Sequence, residues 1–223
     1  MIAKSVRETL KVDAYLPEDI KLEFRPKLIL GRRMLIRGGY DPWSKVIRLP
    51  SSVWCRKPLV HEILHALSFF YREESLIDKA LTEWRFVIEG LNEFFTGLHL
   101  YLTRSKYPCY DYWLNKTYTQ CSISYEEYTK VFGVLVQVLV RLEDLKEIYF
   151  YNREISWQKI YTSFIRRYGL PNLFQDWPRV YDLEDAIIRT LEERGRRNLA
   201  RKFETLLDED IEVVLDYSSI IKF

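Results

Sequence analysis

His61-Glu62-Ile63-Leu64-His65 holds two of the chain's three histidines, four residues apart around a glutamate. Four residues advance an α-helix by about 400°, so both imidazoles project from one face, a turn apart. At that spacing two ring nitrogens reach one Zn²⁺ at about 2.0–2.1 Å. Glu62 then flanks the metal without occupying it, and five residues supply two ligands and a general base for hydrolysis by an activated water. Ser68 extends the polar stripe of His61 and His65 on a helix whose other positions, Val60, Ile63, Leu64, Leu67 and Phe70, are apolar. Polar groups at the margin of a core need partners, and a metal ion supplies them.

A catalytic zinc site takes a third protein ligand. Downstream, Glu89-Gly90-Leu91-Asn92-Glu93-Phe94-Phe95-Thr96 places Glu89 and Glu93 four residues apart, on one helical face. One carboxylate can bind the metal while the other accepts an N–H from a ligand histidine and fixes its tautomer. The remaining histidine, His99, lies ten residues past Glu89 and about 80° off that face, so it reads as an ordinary helix residue.

His61-Glu62-x-x-His65 with a downstream helical glutamate resembles the gluzincins, the thermolysin-like and aminopeptidase-like zinc metallopeptidases of the zincin superfamily. Glu89-Gly90-x-x-x-Phe94 is similar to the Glu-Gly-x-x-x-aromatic segment that carries the third ligand in the aminopeptidase branch. The resemblance therefore implies a single zinc ion on His61, His65 and Glu89, with Glu62 as catalytic base and Glu93 supporting a ligand. An alternative alignment matches Asn92-Glu93 to the thermolysin-like Asn-Glu pair and makes Glu93 the ligand. Tyr40-Asp41-Pro42 followed by Val46-Ile47-Arg48-Leu49 is similar to the edge strand of minimal zincins, which pairs with an extended peptide. The likeness spans about residues 20 to 104. It implies peptide or protein substrates, or, as the alternative, a catalytically silent zincin that binds or regulates. The Gly-x-Met-Glu-Asn motif that recognises a substrate amino terminus is absent, so exopeptidase activity is not implied.

The elements that must position these residues follow from periodicity. The first fifty residues read mainly as strands: Ile20 to Phe24, part of Leu28 to Ile36, and Lys45 to Pro50. Gly38-Gly39 and Asp41-Pro42 mark turns, and a helical pattern near residues 5 to 15 is weak. Helices begin at Pro58, which suits a first helical turn. A second helix is expected from about Asp78 to Arg104, with Leu81, Trp84, Ile88, Leu91, Phe95 and Leu98 as its apolar stripe. Ser124 to Glu127 matches a capping box ahead of an apolar run to Leu142. Another helix starts near Ser156, with Trp157, Ile160, Phe164 and Tyr168 on one face, and stops at Gly169 and Pro171. A last helical pair covers roughly 183 to 207, interrupted at Gly195. The expected fold is α+β: a minimal zincin domain over 1–107, its small sheet packed on the histidine helix and the glutamate helix, followed by an α-helical region over 108–223.

Bulk composition narrows the partners. With 48% hydrophobic and 30% charged residues the chain reads as a folded protein, not a disordered one. Its 34 basic and 32 acidic residues nearly cancel, which argues against nucleic acid. The arginines and lysines at 194, 196, 197, 201 and 202 are diluted by Glu192, Glu193 and Glu204, so they read as a solvated face. The aromatic stretch Tyr149 to Tyr168 follows core spacing rather than a stacking platform. No run of 18 apolar residues predicts a membrane span, and Cys55, Cys109 and Cys121 form neither a disulfide framework nor a knuckle. A cytoplasmic setting is expected.

Overall fold

In the computed structural model of the chain, which describes residues 2–25, 29–30, 33–34, 38–50, 53–54, 56–82, 85–104, 109–111, 116–118, 126–151, 180–193 and 195–221, the first element is a helix. α1 (Ile2–Leu10) corrects the expectation that the first fifty residues are essentially strands. Val6 and Leu10, four apart, bury one face, while Arg7 and Glu8 between them carry charge. Lys11 ends the helix in the left-handed conformation, with φ 53°.

β1 (Lys21–Arg25), β2 (Ile29–Leu30), β3 (Arg33–Met34), β4 (Gly39–Asp41) and β5 (Val46–Pro50) follow. β5 lies between β1, which runs parallel to it, and β4, which runs antiparallel. β2 and β3 pair separately as a short hairpin. The turn between β4 and β5 is built by Asp41. Its Oδ1 accepts from the Trp43 and Ser44 N–H groups at 3.1 and 3.2 Å, and its Oδ2 accepts from Arg48 Nη1 at 3.0 Å. Lys45, with φ 52°, completes the reversal. The Ser44 hydroxyl, together with these donors, holds the Asp41 carboxyl down at about 2.

α2 (Arg56–Leu67) packs on α1, β4 and β5. Val60, Leu64 and Leu67 are fully buried, at the helical spacing expected. Pro58 falls in the first turn, where its missing N–H costs little. A 3₁₀ turn, Phe69–Tyr71, follows directly. The single helix expected over 78–104 is instead two: α3 (Glu74–Leu81) and α4 (Arg85–Leu102). Thr82 takes part in the break, because its hydroxyl donates to the Asp78 carbonyl at 2.6 Å and caps the end of α3. Leu81, expected in the apolar stripe, is exposed there, whereas Ile88, Leu91, Phe95 and Leu98 are buried.

The chain groups into two compact units, Met1–Ile77 with Phe95–Ile123, and Asp78–Phe94 with Ser124–Phe223. The division falls inside α4, between Phe94 and Phe95, so one unbroken helix contributes to both. The first unit also contains β6 (Val53–Trp54), β7 (Cys109–Asp111) and β8 (Lys116–Tyr118), an antiparallel sheet in that order. The second unit is helical among the described residues: α5 (Glu126–Val138), α6 (Leu142–Tyr151), α7 (Val180–Glu193), α8 (Arg197–Asp208), α9 (Ile211–Val214) and α10 (Tyr217–Ile220). α5 is its centre, in contact with α7, α8, α9 and α10. A Cβ on Gly133 would come within 2.8 Å of Leu215 Cδ2, which is how closely α5 meets the segment after α9. Gly195 separates α7 from α8 with φ 69°, as a helix-ending glycine does.

The segment from Ser156 to Pro171 and the capping box at Ser124 and Tyr125 lie outside the described residues. Tyr149 and Phe150, at the start of the aromatic stretch, are fully buried, so those two rings are core. Among the described residues helix and strand coexist, a mixed α+β chain in which helix predominates and the strands lie in the first unit. No described helix is long and apolar enough to cross a membrane.

Candidate metal centre

His61 and His65 sit on the same face of α2, their ring centroids 4.8 Å apart and their planes at 81°. His65 is buried at 4% exposure and Glu62 at 6%, while His61 is half-buried. The His65 ring is flanked on a further side by Tyr71, edge to face at 5.0 Å and 85°. Tyr71 in turn meets Tyr40 of β4 at 6.2 Å and 85°. Perpendicular ring contacts of this kind match the positive edge of one ring to the negative face of the next and restrict rotation of the imidazole. Burial, with the negative charges of Asp19 and Asp41, pushes the Tyr40 hydroxyl up to about 12.

Ser68 does not join the histidines as a third polar group awaiting a partner. Its hydroxyl accepts from the Phe70 N–H at 3.2 Å and caps the 3₁₀ turn that brings Tyr71 to His65. The chain therefore uses Ser68 to place a ring against a histidine.

Nitrogens of His61 and His65 and a carboxylate oxygen of Glu89 all lie within 4.8 Å of one another. Two imidazoles and one carboxylate are the donor set of a three-ligand catalytic zinc site, with a position left for water. By donor type and spacing the three residues could hold a metal ion.

Glu93, the alternative ligand, is not part of that group. It is buried at 3% exposure, and its charge, after burial itself, raises the Tyr217 hydroxyl well above its ordinary value. Its carboxylate is thus felt at Tyr217 of α10. His99 is fully buried on α4, as an ordinary core position can be.

How α4 is held within the second unit follows from polar groups that periodicity does not single out. Tyr149 of α6 donates its hydroxyl to Asn92 Oδ1 at 2.7 Å, and both residues are fully buried. Tyr217 donates to the Phe94 carbonyl at 3.1 Å, with its ring tilted on Phe94 at 5.7 Å. Gly90, beside Glu89, has a steric reason of its own. A Cβ there would fall 2.5 Å from Tyr128 Cβ and 3.1 Å from the Tyr128 carbonyl carbon on α5. α4 and α5 approach each other nearly backbone to backbone, and only glycine admits that. Tyr71, Tyr149 and Tyr217 were missed because in a chain with 16 tyrosines no local spacing distinguishes these from core rings. Asn92 carried a signal, as a polar residue within an apolar helical run.

Compared with known proteins, the chain is matched by no family model, by no curated protein and by no solved structure.

Proposed function

We propose that this protein is a zinc-dependent hydrolase of peptide bonds with a minimal zincin domain, in which the β1-β5-β4 sheet serves the histidine helix α2 and the glutamate helix α4. The observation that carries the reading is the convergence of His61, His65 and Glu89 donor atoms, with Glu62 on the helical turn between the two histidines. His61, His65 and Glu89 would hold the zinc ion, which when bound would supply Lewis-acid activation of a water and of the scissile carbonyl. Glu62 accepts the proton of the attacking water and delivers it to the departing amine. At 6% exposure its carboxylate is shielded from bulk solvent. Tyr71 restrains the His65 ring. The substrate is a peptide or protein.

Elemental analysis of the purified chain tests the metal, and a peptide library read with and without chelator tests the chemistry. The expected result is one zinc per chain in the wild type and in Glu62→Gln, and none in His61→Ala. Hydrolysis is expected to be chelator-sensitive and about 10²- to 10⁴-fold lower in Glu62→Gln. Equal zinc in the wild type and His61→Ala overturns the metal reading. Zinc without hydrolysis in the wild type replaces the enzyme with a silent metal-binding protein of the same site.

A further inference from the structure

We propose that Gly38 is a positioning residue for Glu62, a bare stretch of backbone whose lack of a side chain lets the base stand where it does. A Cβ built on Gly38 would lie 2.9 Å from Glu62 Oε1 and 3.3 Å from Glu62 Cγ, with Leu49 Cδ2 also at 3.3 Å. The first distance is shorter than carbon and oxygen atoms tolerate without bonding, so a side chain at position 38 would force the Glu62 carboxylate to shift. A Cβ on Gly39, the next residue, meets nothing within 4 Å. The tight clearance belongs to Gly38 alone of the pair.

Backbone conformation does not explain the glycine. Gly38-Gly39 reads in the sequence as a turn signal, yet the described glycine with a left-handed φ is Gly195. What position 38 requires is space on the side facing α2. The residue leads into β4, which is hydrogen-bonded to β5, and α2 packs on both strands. The backbone against the carboxylate therefore directly adjoins the sheet. A methyl group there displaces the carboxylate, because the end of a glutamate is the softest of the atoms it meets. Displacements of about 1 Å from productive geometry cost on the order of 10²-fold in rate. The consequence for catalysis rests on the reading of Glu62 as base; the contact itself does not.

The test uses the full chain as wild type, Gly38→Ala, Glu62→Ala and the double variant. In the zinc-loaded proteins, Gly38→Ala is expected to keep its metal and its KM within about twofold while kcat falls about 10²-fold. In metal-free proteins, thermal unfolding reads the contact without reference to activity. Gly38→Ala is expected to lower the midpoint by about 2–4 °C more in the Glu62 background than in the Glu62→Ala background. An equal midpoint shift in both backgrounds overturns the proposal, as does a kcat within threefold of wild type. If Gly38→Ala alone does not fold, the double variant must fold for the proposal to stand. A wild type that binds zinc and hydrolyses nothing removes the base from the proposed function, and the metal-free cycle still decides whether Gly38 positions Glu62.

Discussion

Helices α4 and α8 both carry polar residues and place them in opposite surroundings. α8 turns Arg197, Arg201, Lys202 and Glu204 to solvent and buries Ala200 and Phe203 against the rest of its unit. α4 buries Asn92, Glu93, Thr96 and His99 to 3% exposure or less, among Leu91, Phe94, Phe95 and Leu98. The arrangement in α8 is what hydrophobic burial produces unaided, with charges left in water at no cost. That in α4 runs against desolvation, which costs roughly 1–3 kcal/mol for each buried polar group lacking a partner. α4 is therefore stable only because other parts of the fold supply donors and acceptors to it, as the tyrosines at Asn92 and at the Phe94 carbonyl do. A helix that a protein keeps polar inside, at such expense, is where chemistry is to be sought.

The contrast can be broken at several points. Phe203→Ala removes the fully buried ring of α8 and is expected to cost about 3–5 kcal/mol in denaturant unfolding. Tyr149→Phe deletes only a hydroxyl, and the loss of its bond to Asn92 is expected to cost about 1–3 kcal/mol by the same measurement. A cost near zero would mean that the polar interior of α4 is not sustained by its hydrogen bonds. Tyr71→Leu extends the comparison to α2. If the proposed site holds zinc, loss of the edge-to-face contact on His65 should lower zinc affinity, measured by competition with a chelating dye, about 2- to 10-fold, together with a loss of stability because Tyr71 is buried and also contacts Tyr40. The smallest effect belongs to the surface of α8, where Arg201→Gln should shift stability by no more than about 0.5 kcal/mol. Were Arg201→Gln to cost as much as Tyr149→Phe, the distinction between the two helices would not hold.

Much of the secondary structure was legible because its signals are local. The apolar face of α2, the strands β1 and β5, and the break at Gly195 each follow from side chains a few residues apart. The errors also have local causes. Val6 and Leu10 offer too short a stripe for α1 to stand out, and Thr82 ends α3 through a side-chain bond that no apolar period reports. The pairing of β6 with β7 joins residues more than fifty positions apart, which lies beyond any window of periodicity.

The candidate site divides along the same line. That His61 and His65 share a face with Glu62 between them is a property of the helix, set by 3.6 residues per turn and readable from five letters. Which carboxylate of α4 comes to the histidines is not such a property, because Glu89 and Glu93 share a face equally well. The tertiary fold tells the two apart: close approach at Gly90 fixes how α4 lies against α5, Glu93 is placed within reach of Tyr217, and Glu89 is the one that falls in the candidate group with His61 and His65. The same holds for Ser68, Tyr71 and Gly38, whose roles exist only where separate segments meet. Sequence determines what repeats along one element; contacts between elements depend on how their surfaces fit, and that is decided by packing.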